Sequence, residues 1–167
     1  MDLYILRHAV AEARSADNVE DDGKRPLTAK GRAKMSKIAK GMKKLGVKFD
    51  LLLSSPAIRA KDTARIVAAE FNAKKKLKLS MNLAVGGNQE SLVTELVQER
   101  GAPASVVIVG HEPALSFFAS VLLTGDGGMA VDLKKGGLIK LQISALGYRK
   151  CAKLMWLLTP SQLRRLG

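Results

Sequence analysis

Three short runs of uninterrupted apolar residues constrain this chain more than any other feature. Residues 3–6 (Leu-Tyr-Ile-Leu), 51–53 (Leu-Leu-Leu) and 106–109 (Val-Val-Ile-Val) contain no charged residue. A strand with one wet face alternates apolar and polar side chains, because successive residues point to opposite faces. Unbroken runs read instead as strands covered on both faces, the pattern of a parallel sheet between helices. Between the runs the spacing turns helical. Gly31, Met35, Ile38, Met42 and Leu45 share one face of a helix from Thr28 to about Leu45. Lys30, Lys37, Lys40, Lys43 and Lys44 lie mostly opposite, and Gly46 follows the end. Ala60, Ala64, Val67, Ala68 and Phe71 mark a second helix, with Ser55 expected as N-cap and Pro56 as first helical residue. Residues 77–80 read as an edge strand. Residues 89–99 read as a helix burying Leu92, Val93, Leu96 and Val97, and another helix is expected from Pro113. Residues 138–143 and 152–158, with Gly147 between them, suggest an antiparallel pair. The stretch 9–26, with its acidic segment 17–22, reads as a surface loop. The expectation is an α/β three-layer sandwich: a mostly parallel central sheet with helices on both faces.

The 167 residues show no repeat and no Pro/Gly/Ser linker, so one domain over 1–167 is expected. Cys151 is the single cysteine, which excludes an intrachain disulfide and a thiolate metal cluster; it reads as a small core residue. The apolar runs are too short for a signal peptide or a bilayer span, so a cytoplasmic protein is the default and no membrane partner is expected. The 28 Lys and Arg against 15 Asp and Glu leave a formal charge of +13, which suits an anionic ligand. Aromatic residues are only 4%, leaving few stacking platforms, so nucleic acid is disfavoured.

Both histidines, His8 and His111, directly follow or closely follow a buried run. Arg7 precedes His8, and Arg59 falls in the first turn after the run 51–53. Open α/β sheets bind ligands beyond the carboxyl ends of their strands, so parallel strands would gather these four side chains at one edge. The expected helix starts at Ser55 and Pro113 would add amide groups that favour an anion. Guanidinium forks match phosphoryl oxygens. A zinc site is the weaker rival, since no carboxylate sits at ligand spacing and two arginines would repel a cation. No metal and no cofactor are expected.

These residues resemble a known family. Leu6-Arg7-His8-Ala9 is similar to the signature of the histidine phosphatase superfamily, which has a phosphoglycerate mutase-like fold. Arg25-Pro26-Leu27-Thr28 with Gly31, Ser54-Ser55-Pro56 with Arg59, Ala60, Thr63 and Ala64, and Val109-Gly110-His111-Glu112-Pro113 resemble its further motifs in order. The small size and the ending Leu157-Leu158-Thr159-Pro160 resemble the SixA-type phosphohistidine phosphatase branch. Ala9 stands where most of the superfamily has glycine, a departure that this branch tolerates. The chain has no room for the helical cap that carries a proton-donating carboxylate in larger members.

The resemblance implies a phosphatase in which His8 is the nucleophile and forms a phosphohistidine intermediate. Arg7, Arg59 and His111 would bind the phosphoryl oxygens. Arg25 is a candidate fifth contact, against a reading as a loop arginine paired with Asp21 or Asp22. Glu90 is the positional candidate for general acid, against a reading as an acidic residue at a helix N-terminus; Glu112 adjoins the site but could cap the next helix. The implied partner is a phosphorylated histidine on a protein, such as a phosphotransfer domain. The leaving imidazole of such a substrate needs a dedicated acid less than an alcohol does. Two other readings stay open: a small-molecule phosphomonoester phosphatase or mutase on the same fold, and a non-catalytic phosphate-binding module.

Overall fold

The computed structural model describes residues 1–13 and 22–167. Its six-stranded sheet has the order β3-β2-β4-β1-β5-β6. The strands are β1 (Asp2–Arg7), β2 (Leu51–Ser54), β3 (Leu77–Leu79), β4 (Ser105–Gly110), β5 (Leu138–Ile143) and β6 (Ala152–Leu158). The helices are α1 (Ala29–Lys44), α2 (Ile58–Glu70), α3 (Gln89–Gln98), α4 (Ala114–Thr124) and α5 (Pro160–Leu166). The first four strands in spatial order are parallel. β5 runs antiparallel to β1 and β6 antiparallel to β5. The expected α/β sandwich with a mostly parallel sheet is therefore the observed fold.

The apolar strands serve two cores. Tyr4, Leu6, Leu52, Val107 and Val109 pack on one face with Met35, Ile38 and Met42 of α1, Ala64 and Val67 of α2 and Leu163 of α5. Leu3, Ile5, Leu53, Val106 and Ile108 point to the other face, against Leu92 and Leu96 of α3 and Leu115, Phe118 and Leu122 of α4. Period-two orientation divides each run between the two cores, which is why neither face tolerates a charge.

Several boundaries differ from the sequence reading. Ser55 does not cap α2, which starts at Ile58 after Ala57, a residue without a side-chain capping bond. Leu45 is 39% and Val97 58% exposed, so neither belongs to its helix's buried face. Cys151 lies just before β6 and is half-buried rather than core. Helix α5 was not expected. It begins with a Thr159–Gln162 capping box and inserts Leu163 beside α1. A Cβ at Gly41 would fall 2.0 Å from the Leu163 carbonyl oxygen, so only glycine lets α5 lie this near α1. Of the loop 9–26, residues 14–21, including most of the acidic segment, lie outside the described residues. Its base is closed by a bridge between Ala11 and Leu27.

The connections decide where a site can form. Helix α1, after β1, packs on one face, while α4, after β4, packs on the other. Because β1 and β4 are parallel neighbours, the chain diverges at their carboxyl ends and leaves a crevice there.

Candidate active site

Both histidines sit in that crevice. Arg7 pairs with Gly110 at the ends of β1 and β4, and the His8 amide donates to the Gly110 carbonyl at 3.1 Å. The next residue on each strand is a histidine, and their ring centroids are 5.1 Å apart. β2 lies on the far side of β4, and the Ser55 amide donates to the Val109 carbonyl at 2.9 Å. Arg59 follows in the first turn of α2 and is buried. The structure thus gathers Arg7, His8, Arg59 and His111 in one cleft of about 500 Å³, also lined by Glu12, Asp22, Arg25, Val85, Glu112 and Lys135.

Each ring is anchored by one nitrogen. His8 Nδ1 lies 2.7 Å from the Ala9 carbonyl oxygen, an acceptor only, so Nδ1 carries the proton and Nε2 keeps its lone pair. Ala9 is itself pinned: its amide donates to Thr63 Oγ1 at 3.0 Å, and that hydroxyl donates to the Arg59 carbonyl at 2.7 Å. His111 Nε2 lies 2.8 Å from Ser55 Oγ. His111 Nδ1 is buried with no hydrogen-bond partner among the described residues, as is Arg7 Nε. Buried polar atoms are rarely left unpaired, and both residues line the cleft together with Arg25, Arg59 and Lys135.

Burial pushes the His8 imidazole down to about 3, helped by the charges of His111, Arg59 and Arg7 and opposed by the Ala9 bond. Burial likewise pushes His111 down to about 4, with Arg59 adding to the effect and Asp22 opposing it. Burial, more than the neighbouring guanidinium charges, keeps His8 neutral. Both folded values lie below the unfolded 6.5, so the unfolded chain binds more protons as pH falls below 6.5. Stability is therefore lost progressively from there down toward pH 4 for His111 and pH 3 for His8. For the pair this amounts to roughly 2–3 kcal/mol at pH 5.5. Urea unfolding at pH 7.5 and 5.5 should show that loss in the wild type and a much smaller one in a His8→Asn/His111→Asn variant; equal losses would contradict it.

The arginines are held by a carboxylate. Arg59 Nη2 donates to Asp22 Oδ2 at 2.8 Å, and its Nη1 donates to the Asp22 carbonyl. Arg25 Nε donates to Asp22 Oδ1 at 2.8 Å and its Nη1 to the Glu12 carbonyl at 2.6 Å. Arg25 therefore has the pairing with Asp22 and also lines the cleft; Asp21 lies outside the described residues. Arg7 Nη1 donates to the Leu133 carbonyl at 2.9 Å, from the loop that also carries Lys135.

The expected acids fare differently. Glu90 is exposed in the first turn of α3 and is not among the cleft-lining residues. Glu112 lines the cleft, but its carboxylate accepts from the Ser116 amide at 3.2 Å and from the Ser116 hydroxyl. It caps α4, which begins one residue later than expected, and so occupies the Ser116 amide at that helix start.

Sequence reasoning missed Ser55 and Thr63 as anchors, Asp22 as the bridge between two arginines, and Leu133 and Lys135. The Arg25–Asp22 pairing was one of the two readings of Arg25 from the sequence; the extension of that carboxylate to Arg59 was not. Nothing local marks Leu133, which is 126 residues from Arg7.

Residues 3–84 match the model of the histidine phosphatase superfamily (branch 1). The chain is 38% identical over 147 residues to an uncharacterized protein of Picosynechococcus sp., covering 87% of each. Among solved structures it is similar to the protein histidine phosphatase SixA complexed with tungstate, at TM-score 0.83 and 22% identity over 98% of this chain and 99% of that one. It is also similar to a phosphoserine phosphatase of Entamoeba histolytica in complex with phosphoserine, at TM-score 0.70 and 16% identity over 97% and 98%.

Proposed function

This chain belongs to the histidine phosphatase superfamily and is a phosphohydrolase, and from that premise we propose that it removes the phosphoryl group from phosphohistidine on proteins. The observation that carries the reading is the placement of His8. Its Nδ1 is committed to the Ala9 carbonyl, which leaves Nε2 as a neutral nucleophile beside Arg7, Arg59 and His111.

In the first step Nε2 attacks phosphorus as the bond from phosphorus to the substrate nitrogen breaks. The guanidinium groups and His111 hold the equatorial oxygens, where negative charge must be stabilised. The substrate imidazole leaves as a neutral ring if its other nitrogen was protonated beforehand. Water then attacks the phosphoryl group on His8, releases inorganic phosphate and restores Nε2.

The state of the carboxylates supports phosphohistidine over an alkyl phosphate, whose alkoxide leaving group needs a proton. Asp22 is paired with two arginines, and Glu112 is engaged with Ser116. The likeness to SixA, described as a protein histidine phosphatase, points the same way. Glu12 lines the cleft and favours the second reading, a small phosphomonoester protonated by that residue.

A comparison of kcat/KM on a phosphohistidine peptide, a phosphoserine peptide and an aryl phosphate separates the two, each with wild type and Glu12→Gln. Preference for phosphohistidine by at least about tenfold (~1.4 kcal/mol), with Glu12→Gln near wild type, is expected. Preference for an ester together with collapse in Glu12→Gln would replace phosphohistidine with the small phosphomonoester.

A further inference from the structure

We propose that Ser55 is a positioning residue that selects the tautomer of His111 and so presents Nδ1–H to the phosphoryl group. The kinetic meaning rests on the phosphatase reading; the tautomer itself does not.

Ser55 is fully buried at the end of β2, in contact with the end of β4 through the hydrogen bond from its amide to the Val109 carbonyl. Its hydroxyl has one hydrogen to give and two lone pairs to offer. The Ala57 amide donates to one lone pair at 3.2 Å. His111 Nε2 is the other partner, at 2.8 Å. Burial keeps the His111 ring neutral at physiological pH, so one of its two nitrogens carries a proton and the other does not.

Two arrangements satisfy the 2.8 Å contact, and they differ in what is left over. If Nε2–H donates to Ser55 Oγ, the serine hydrogen has no acceptor among the described residues, and Nδ1 turns a lone pair toward an anion. If Ser55 Oγ–H donates to Nε2, the serine hydrogen is placed and only a lone pair is left over, and the imidazole proton sits on Nδ1. That nitrogen is the one without a partner in the structure. A phosphoryl oxygen completes the second arrangement and is repelled by the first. With a phosphoryl oxygen at Nδ1, only the second arrangement gives every donor an acceptor, which buried hydroxyls and imidazoles favour.

The pattern mirrors the other ring. His8 is anchored at Nδ1 by an acceptor and keeps its lone pair at Nε2. His111 is anchored at Nε2 by a donor and keeps a proton at Nδ1. One ring is thereby set to attack phosphorus and the other to bind its oxygens, though both are neutral. Ser55 touches neither substrate nor reacting atoms in this account and acts only through His111.

The test reads the ring nitrogens directly. Long-range ¹H–¹⁵N spectra of imidazole-labelled wild-type protein bound to inorganic tungstate at pH 7 should show His111 protonated at Nδ1. Protonation at Nε2 in the wild type would overturn the proposal whatever any variant does. In Ser55→Ala the Nε2–H tautomer should gain population, and affinity for inorganic tungstate should fall by about ten- to a hundredfold. Retention of Nδ1–H with wild-type tungstate affinity would also overturn it. In a His111→Ala background, Ser55→Ala should cost less than about twofold in tungstate affinity; an undiminished cost would mean that Ser55 acts elsewhere. Absence of turnover in a wild type that passes these tests would count against the phosphatase reading and leave the tautomer assignment standing.

Discussion

His8→Ala is expected to lower turnover of a phosphohistidine peptide by at least about 10³-fold. The step removed is formation of the bond between Nε2 and phosphorus, and no other neutral nitrogen is placed to form it. His111 Nε2 is occupied by Ser55, and its Nδ1 is the nitrogen assigned to donate. Acid-stable esters will not accumulate, but mixing of wild type with substrate should give an acid-labile adduct of one phosphoryl group per chain. That adduct should be missing in the variant. Affinity for tungstate should change by less than about tenfold, because Arg7, Arg59 and His111 remain. A variant with turnover within tenfold of wild type would move the nucleophile away from His8.

Arg59→Ala is expected to cost about 10²–10³ in kcat/KM on the same peptide. Two effects add. A guanidinium that holds phosphoryl oxygens is lost, and Asp22 keeps only Arg25 of its two arginine partners. The less neutralised carboxylate would then repel the incoming phosphoryl group from inside the cleft, which it lines. Arg59→Lys should recover only part of the loss, because an ammonium supplies charge without the planar fork that reaches Asp22 through both its carbonyl and its carboxylate. Adding Asp22→Asn to Arg59→Ala should recover several-fold in kcat/KM. A loss under tenfold in Arg59→Ala would show that Arg59 serves Asp22 and the loop rather than the phosphoryl group.

The two variants probe residues of different legibility. Arg7, His8, Arg59 and His111 could be assembled from the chain because each lies within a few residues of the end of an apolar run, and parallel strands bring such ends together. Arg25 was legible as a residue of interest but not as to role. Its bond to Asp22 spans only three residues and was one of its two readings, but the same carboxylate also binds Arg59, 37 residues beyond Asp22, which no local pattern shows. Glu90 was drawn toward the site by its position at a helix start, yet in the fold it is exposed and does not line the cleft.

What the sequence by itself determined is the sheet, its covering on both faces and the four side chains at its carboxyl edge. Those follow from short-range physics: unbroken apolar runs need two cores, and turns after them must carry polar groups. Only the tertiary structure decided which nitrogen of each ring is free. That choice rests on Ala9, Thr63 and Ser55, whose partners come from different elements. Hydrogen bonds act over about 3 Å, and no periodicity along the chain encodes which donors meet at that distance once the strands are packed.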